Sequence, residues 1–184
     1  MNTLTQVDWS DIPAPEDDGQ AEHLPGMSLP DIALQAHDGT AVELSKAKGL
    51  SVVYAYPMTG QPDKALPEGW DALPGARGCT PQSCAFRDHA EELKALGVDA
   101  VYGLSTQDSD YQREAAERLN LPFKLLSDES LAFSQALRLP MLEVQDMVLT
   151  KRITLVIRDG VIEQVFYPVF PPDRNAADVI AYLR

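Results

Sequence analysis

The sequence predicts a mixed α/β fold, a central sheet with strands in both directions flanked by helices. Three observations carry the prediction. Runs rich in β-branched and aromatic residues alternate with segments of helical period; two turns containing Asp-Gly, Asp38-Gly39 and Asp159-Gly160, sit between short apolar runs; and a last helical pattern follows the second of these turns.

In chain order, Pro30-Asp31-Ile32-Ala33-Leu34 and Ala41-Val42-Glu43-Leu44 flank the first turn and form an N-terminal hairpin, with His37 read as a solvated loop residue. Leu50 to Tyr56 is a continuous β-rich run closed by Pro57, as expected of a buried central strand that ends where proline has no N–H to give. Residues 59–77 hold three prolines and three glycines without a period, which makes them a long loop, with Leu66, Trp70 and Leu73 available to pack it down. A helix is expected from Cys79 to near Gly97, then a buried strand over Ala100 to Ser105. Tyr111, Ala115 and Leu119 recur every fourth residue behind a cap at Asp108 or Ser109. Phe123 to Leu126 is extended, and Leu131 to Leu137 is a helix closed by Arg138 and Pro140. Arg152 to Ile157 and Val161 to Phe166 flank Arg158-Asp159-Gly160, the strongest hairpin signal in the chain. Pro171-Pro172-Asp173 opens a final helix with Ala176, Val179, Ile180 and Leu183 on one face.

Composition bounds the function. The 184 residues fit one domain, and 15 Lys plus Arg against 28 Asp plus Glu give a net charge of −13, which argues against nucleic acid or an anionic membrane as partner. There is no run of about 18 apolar residues to span a bilayer. Met1 to His23 lacks Lys, Arg and an apolar stretch, so it is not a secretory signal; it reads as an acidic arm over residues 1–23, flexible or loosely docked, which Trp9 tacks down locally. The cytoplasm is the expected location, and residues 24–184 the folded domain. In a reducing compartment two cysteines are better explained by catalysis or redox sensing than by a structural bridge.

Both cysteines lie in Gly78-Cys79-Thr80-Pro81-Gln82-Ser83-Cys84. Pro81 suits a first helical turn, and Ala85, Phe86, Ala90 and Leu93 continue at helical spacing, so Cys79 sits at a helix start. Unpaired N–H groups and the positive end of the helix dipole favour an anion there, and a thiolate is an anion. Two inert, buried cysteines fit the counts as well; the placement favours chemistry. On an intact helix the two Cα atoms lie roughly 8 to 9 Å apart, whereas a disulfide needs less than about 7 Å. If the two bond, the first turns unwind. The pair lacks the four or so ligands of a zinc site, and neither a metal nor a cofactor is expected.

Tyr54-Ala55-Tyr56-Pro57, the block Gly78 to Asp88, Leu121 to Asp128 and Lys151-Arg152-Ile153-Thr154-Leu155-Val156-Ile157 together resemble, in that order, the PrxQ-type (bacterioferritin comigratory protein) peroxiredoxins, from about Leu24 to the C-terminus. The resemblance implies a thioredoxin-like fold. It also implies a peroxidase whose peroxidatic cysteine is Cys79, whose resolving cysteine is Cys84, and whose substrate is hydrogen peroxide or an organic hydroperoxide. A thioredoxin-like or other thiol reductant resets it, and the chain works as a monomer or weak homodimer. Arg152 alone reads as a solvated strand start; the match makes it the cation beside the sulfur, with Arg77 and Arg87 as lesser candidates. His89 lies ten residues after Cys79, out of reach as its base.

One departure stands out. The family places a proline seven and a hydroxyl residue three positions before the reactive cysteine, where this chain has Ala72 and Ala76. Pro57 and Thr59 stand where that pair would be without the loop, so Thr59, Pro57 and Gly78 are the expected peroxide-binding residues. Two rival readings remain. A thioredoxin-type thiol–disulfide oxidoreductase is disfavoured by the C-x4-C spacing and by the absence of a proline before Thr154; a redox sensor without peroxidase turnover is the other.

Overall fold

A computed structural model describes residues 7–184. Nine strands and five α-helices follow one another as β1 (Ala33–Ala36), β2 (Ala41–Glu43), β3 (Leu50–Ala55), α1 (Cys79–Asp88), α2 (Ala90–Ala95), β4 (Val98–Ser105), α3 (Ser109–Arg118), β5 (Lys124–Ser127), α4 (Ala132–Leu137), β6 (Met141–Val144), β7 (Met147–Thr150), β8 (Ile153–Arg158), β9 (Val161–Phe166) and α5 (Asn175–Leu183). Seven strands form one sheet in the order β2-β1-β5-β4-β3-β8-β9. Only the central β5-β4-β3 run is parallel; both outer pairs are antiparallel.

β3 is central and buried at every position because each face of the sheet carries its own core. Val53 and Ala55 join Leu104, Leu126, Phe133 and Leu155 on one face. Val52 and Tyr54, with Tyr56 beyond the strand, join Phe86 of α1, Leu93 of α2, Ala115 of α3 and Val179 of α5 on the other. Tyr54 matters most for the site. Its ring stacks on Phe86 at 4.6 Å between centroids, and its hydroxyl bonds the Ser83 Oγ at 3.0 Å, so β3 fixes the rotation of α1 from below. Gly103 on β4 leaves the room for that phenol: a Cβ there would come within 2.9 Å of the Tyr54 hydroxyl and 2.5 Å of Leu125.

Three features depart from the sequence expectations, and the long loop packs down through Trp70 as expected, on a partner the sequence did not show. The helix expected to reach Gly97 breaks at His89, whose φ of −97° and ψ of 7° separate α1 from α2; the bend keeps both Phe86 and Leu93 fully in the core. Residues 141–150 form a separate two-stranded sheet, β6 paired with β7, across Gln145, which takes a φ of 54°. The loop 59–77 packs on that hairpin: Met58, Trp70 and Ala76 bury themselves against Val144 and Leu149 in a third small core. His37 is half-buried rather than solvated, since its N–H donates to the Leu125 carbonyl at 2.9 Å while its Nδ1 accepts from the Leu125 N–H at 3.0 Å, prolonging the β1–β5 ladder.

The described part of the acidic arm, from Val7, lies along the body; residues 1–6 of the expected arm fall outside the described residues. Ala21 and Leu24 enter the core, and the His23 Nε2 lies 2.8 Å from the Leu137 carbonyl. Asp18 binds the Lys151 ammonium and the Tyr167 hydroxyl, each at 2.8 Å. Partial burial opposes its charge, yet these two bonds and the Gln20 N–H hold its carboxyl down at about 2. Among the described residues no helix is long and apolar enough to cross a membrane.

The His37 bond has a measurable pH signature. Nδ1 can accept from Leu125 only while the ring is neutral, and burial pushes the ring's pKa below its ordinary value. Below about 6.5 the unfolded chain therefore takes up a proton that the folded chain refuses, so this contribution is complete above that pH and is lost as pH falls. The urea unfolding midpoint of the wild type should drop more between pH 7.5 and 5.5 than that of His37→Leu; equal drops would show that the ring does not titrate against folding.

Candidate active site

Cys79 is the first residue of α1, and Gly78 is its cap at φ 111°. The glycine is required twice over. The φ is left-handed, and a Cβ would come within 2.6 Å of Pro172 and 2.8 Å of the Trp9 ring. The Gln82 N–H closes the first helical turn on the Gly78 carbonyl at 3.0 Å. Cys79 is 3% exposed and its sulfur is free, as is that of half-buried Cys84; α1 runs unbroken through both.

Arg152, just ahead of β8, reaches the sulfur from the buried side, with Nη2 3.3 Å from the Cys79 Sγ. The guanidinium is itself 3% exposed. Its Nη2 also faces the carbonyls of Gly75, Ala76 and Arg77 at 3.2, 3.3 and 3.1 Å, and Nη1 donates to the Gln82 Oε1 at 2.6 Å. The Gln82 Nε2 passes the chain on to the Asn175 Oδ1 at 3.1 Å, which also accepts from the Thr154 hydroxyl at 2.6 Å. Cys79, Gln82, Arg152, Thr154 and Asn175 are all buried. Withdrawing a guanidinium from water costs several kcal/mol, and dipoles only partly offset it. Its hydrogen-bond partners among the described residues are neutral oxygens, and the Cys79 sulfur is the one ionisable group it touches. In the thiol form the nearest acceptor for S–H is the Ala76 carbonyl at 3.7 Å.

On its open side Cys79 faces a cavity of about 790 Å³ that also contains Cys84. Met58, Leu66 and Trp70 from the loop form its apolar wall, and Arg77, Arg87 and Arg118 stand at its edge. Burial pushes the Cys84 thiol above its ordinary pKa, with Arg87 partly opposing, so Cys84 is a protonated thiol at neutral pH. Arg87 binds Asp88 and the Leu119 carbonyl, and Arg77 lies 4.0 Å from Asp71, so neither takes the place of Arg152. His89 sits at the break between α1 and α2, with Nδ1 3.2 Å from Glu92, and lines the same cavity.

The structure places Pro57 and Thr59 at the end of β3. Three side chains from the α3 region grip the backbone there: Gln107 donates to the Pro57 carbonyl at 2.8 Å, Tyr111 to the Thr59 carbonyl, and Arg118 to the Gly60 carbonyl at 2.8 Å. Met58 and Gly60 line the cavity, whereas Thr59 is buried with its hydroxyl unpartnered among the described residues. Burial and the nearby Cys79 charge push the Tyr111 hydroxyl up to about 12, so it remains a donor. Gln82 was the functional residue hardest to see in sequence. Its one signal is its place three residues after Cys79, on the same helix face. Among the described residues no cluster of His, Cys, Asp and Glu could hold a metal ion.

A free cysteine starting a helix, a buried arginine at its sulfur and a mixed sheet with helices on both faces define a thiol redox protein of thioredoxin-like fold. Comparison with known proteins narrows the class. The Redoxin family model matches residues 24–180. Peroxiredoxin Q, chloroplastic, of Oryza sativa subsp. japonica is 32% identical over 163 residues, which cover 86% of this chain and 66% of the rice protein's length. The Sedum lineare protein of the same name is 32% identical and 77% covered. Among solved structures, peroxidoxin BcpB from Mycobacterium tuberculosis superposes with a TM-score of 0.71 at 26% identity, covering 88% of this chain and 97% of that one. A PrxQ mutant from Xylella fastidiosa gives 0.70 at 19% identity over 88% of this chain and 96% of its own, a likeness of fold alone. The chain belongs to the Redoxin family, as a peroxiredoxin of the PrxQ, or bacterioferritin comigratory protein, type.

Gln82→Ala would leave the buried Arg152 Nη1 without its partner and take one of two donors from the Asn175 Oδ1. The expected cost is about 2–3 kcal/mol of stability, read as a shift in the urea midpoint at unchanged slope. An unchanged midpoint would mean that the network is not under tension at Gln82.

Proposed function

We propose that the protein is a thiol-dependent peroxidase that reduces hydrogen peroxide or organic hydroperoxides, with Cys79 as nucleophile and Cys84 as resolving thiol of the same chain. The observation that carries this is the 3.3 Å contact between the Arg152 Nη2 and the Cys79 Sγ beneath a cavity that also holds Cys84. The Cys79 thiolate attacks one peroxide oxygen and the O–O bond breaks. The sulfur keeps that oxygen as sulfenic acid, and the other departs as alkoxide or hydroxide, which takes a proton from solvent to become alcohol or water. Arg152 is placed to stabilise both the thiolate and the charge that grows on the departing oxygen. Cys84–SH then condenses with Cys79–SOH, forming S–S and releasing water, and a thioredoxin-like dithiol returns both thiols by exchange.

Thr59 is assigned the hydroxyl role that Ala76 cannot fill. Its support is a buried, unpartnered Oγ1 on a segment clamped by Gln107, Tyr111 and Arg118. Pro57 and Gly78 complete the peroxide site by ending β3 and by opening the backbone before Cys79. Two cysteines in a chain of this size suit a reducing compartment such as the cytoplasm.

Cys79→Ser should abolish peroxide consumption, while Cys84→Ser should support one turnover and then stall as sulfenic acid. Wild-type protein treated with one equivalent of peroxide should lose two hydrogens by intact mass without doubling. Full activity in Cys79→Ser would overturn the assignment. Thr59→Val should slow oxidation of Cys79 by peroxide roughly 100-fold but leave its alkylation by iodoacetamide within about threefold; equal effects on both would remove the hydroxyl from the mechanism.

A further inference from the structure

We propose that Trp9, on the N-terminal arm and outside the stretch matched by the family, is a positioning residue. It keeps the first turn of α1 wound and thereby sets how Cys79 sulfenic acid divides between resolution by Cys84 and further oxidation. The inference rests on the reading of Cys84 as resolving thiol. With about 8 to 9 Å between their Cα atoms on an intact helix, the two cysteines can bond only if that turn opens.

The groups that hold the turn are few. Gln82 is tied to Arg152 and Asn175, and Ser83 to Tyr54, all of them parts of the body of the domain. The remaining restraint comes from the arm. The Trp9 ring lies over Gly78, so closely that a Cβ there would come within 2.8 Å of its Cη2, and Pro172 closes the other side at 2.6 Å. The indole N–H donates to the Asp173 Oδ2 at 3.1 Å, and the ring meets Phe170 edge to face at 6.0 Å. Val7 of the same arm lines the cavity over Cys79. Gly78 is the hinge about which the turn must open, since its carbonyl accepts the first helical hydrogen bond. Trp9 can leave that hinge without disturbing a strand of the sheet.

Two reactions compete for the sulfenic acid. Condensation of Cys79–SOH with Cys84–SH gives the disulfide and water and needs the turn unwound. A second peroxide converts Cys79–SOH to the sulfinic acid and releases alcohol or water, with the helix intact. A ring clasped over Gly78 slows the first and leaves time for the second.

Single-turnover oxidation of reduced full-length protein, quenched and read by intact mass, follows both products. Trp9→Ala should form the Cys79–Cys84 bond roughly tenfold faster than wild type, the factor expected from losing one edge-to-face contact and one hydrogen bond. The peroxide concentration that gives half sulfinic acid should rise by a similar factor. Trp9→Phe, which keeps a ring over Gly78 but cannot donate to Asp173, should fall between the two. Bond formation in both variants at the wild-type rate, or slower, overturns the clasp. If Trp9→Ala does not fold, Trp9→Phe and Asp173→Asn decide by the same measure. A wild type that makes no intrachain bond sinks the resolving assignment and the clasp together, whereas a wild type that bonds as fast as its variants sinks the clasp alone.

Discussion

A guanidinium withdrawn from water and left, among the described residues, without a carboxylate is the constraint on which the rest of this molecule depends. Arg152 is costly where it stands, and the surroundings are shaped to offset that cost. Three successive carbonyls at the end of the long loop turn toward its Nη2, Gln82 of α1 accepts from Nη1, and the Cys79 sulfur lies against Nη2, while Nε has no partner among the described residues. The elements that supply these groups are remote in sequence, so the shell around this one guanidinium ties the loop, α1 and the start of β8 into one unit.

The sheet makes this possible by its asymmetry. β3 carries a different apolar set on each side, and the side bearing Tyr54 and Tyr56 supports α1. Tyr54 stacks on Phe86 and bonds Ser83, so Cys79 and Gln82 are rotated toward Arg152 rather than toward solvent. The helix thus receives its position from an aromatic floor and its charge partner from a neighbouring strand.

Much of this could be read from the chain. The run Leu50–Tyr56 gave the central strand, Asp159-Gly160 the second hairpin, and Gly78, Cys79 and Pro81 the helix start; Arg152 followed from its resemblance block. These features are local, or repeat a known pattern. What escaped depends on partners far along the chain. His37 needs Leu125, 88 residues away, before its ring nitrogen becomes a backbone acceptor. Gln82 and Asn175 are polar residues at helical positions, which read as solvated until Arg152 arrives beside them. The β6–β7 hairpin turns through Gln145, a residue with no special liking for a positive φ, and its strands make sense only once the loop covers them. The break at His89 likewise serves the packing of Phe86 and Leu93 rather than any helix-stopping residue.

That third core also constrains how the protein can be altered. Met58, Trp70 and Ala76 close over Val144 and Leu149, so the loop and the hairpin are each other's solvent shield. Trimming the loop to an ordinary connection would strand an apolar ribbon on the surface, with an unpaired strand edge inviting self-association. The two segments, separated by some seventy residues of sequence, have to be redesigned together or left alone.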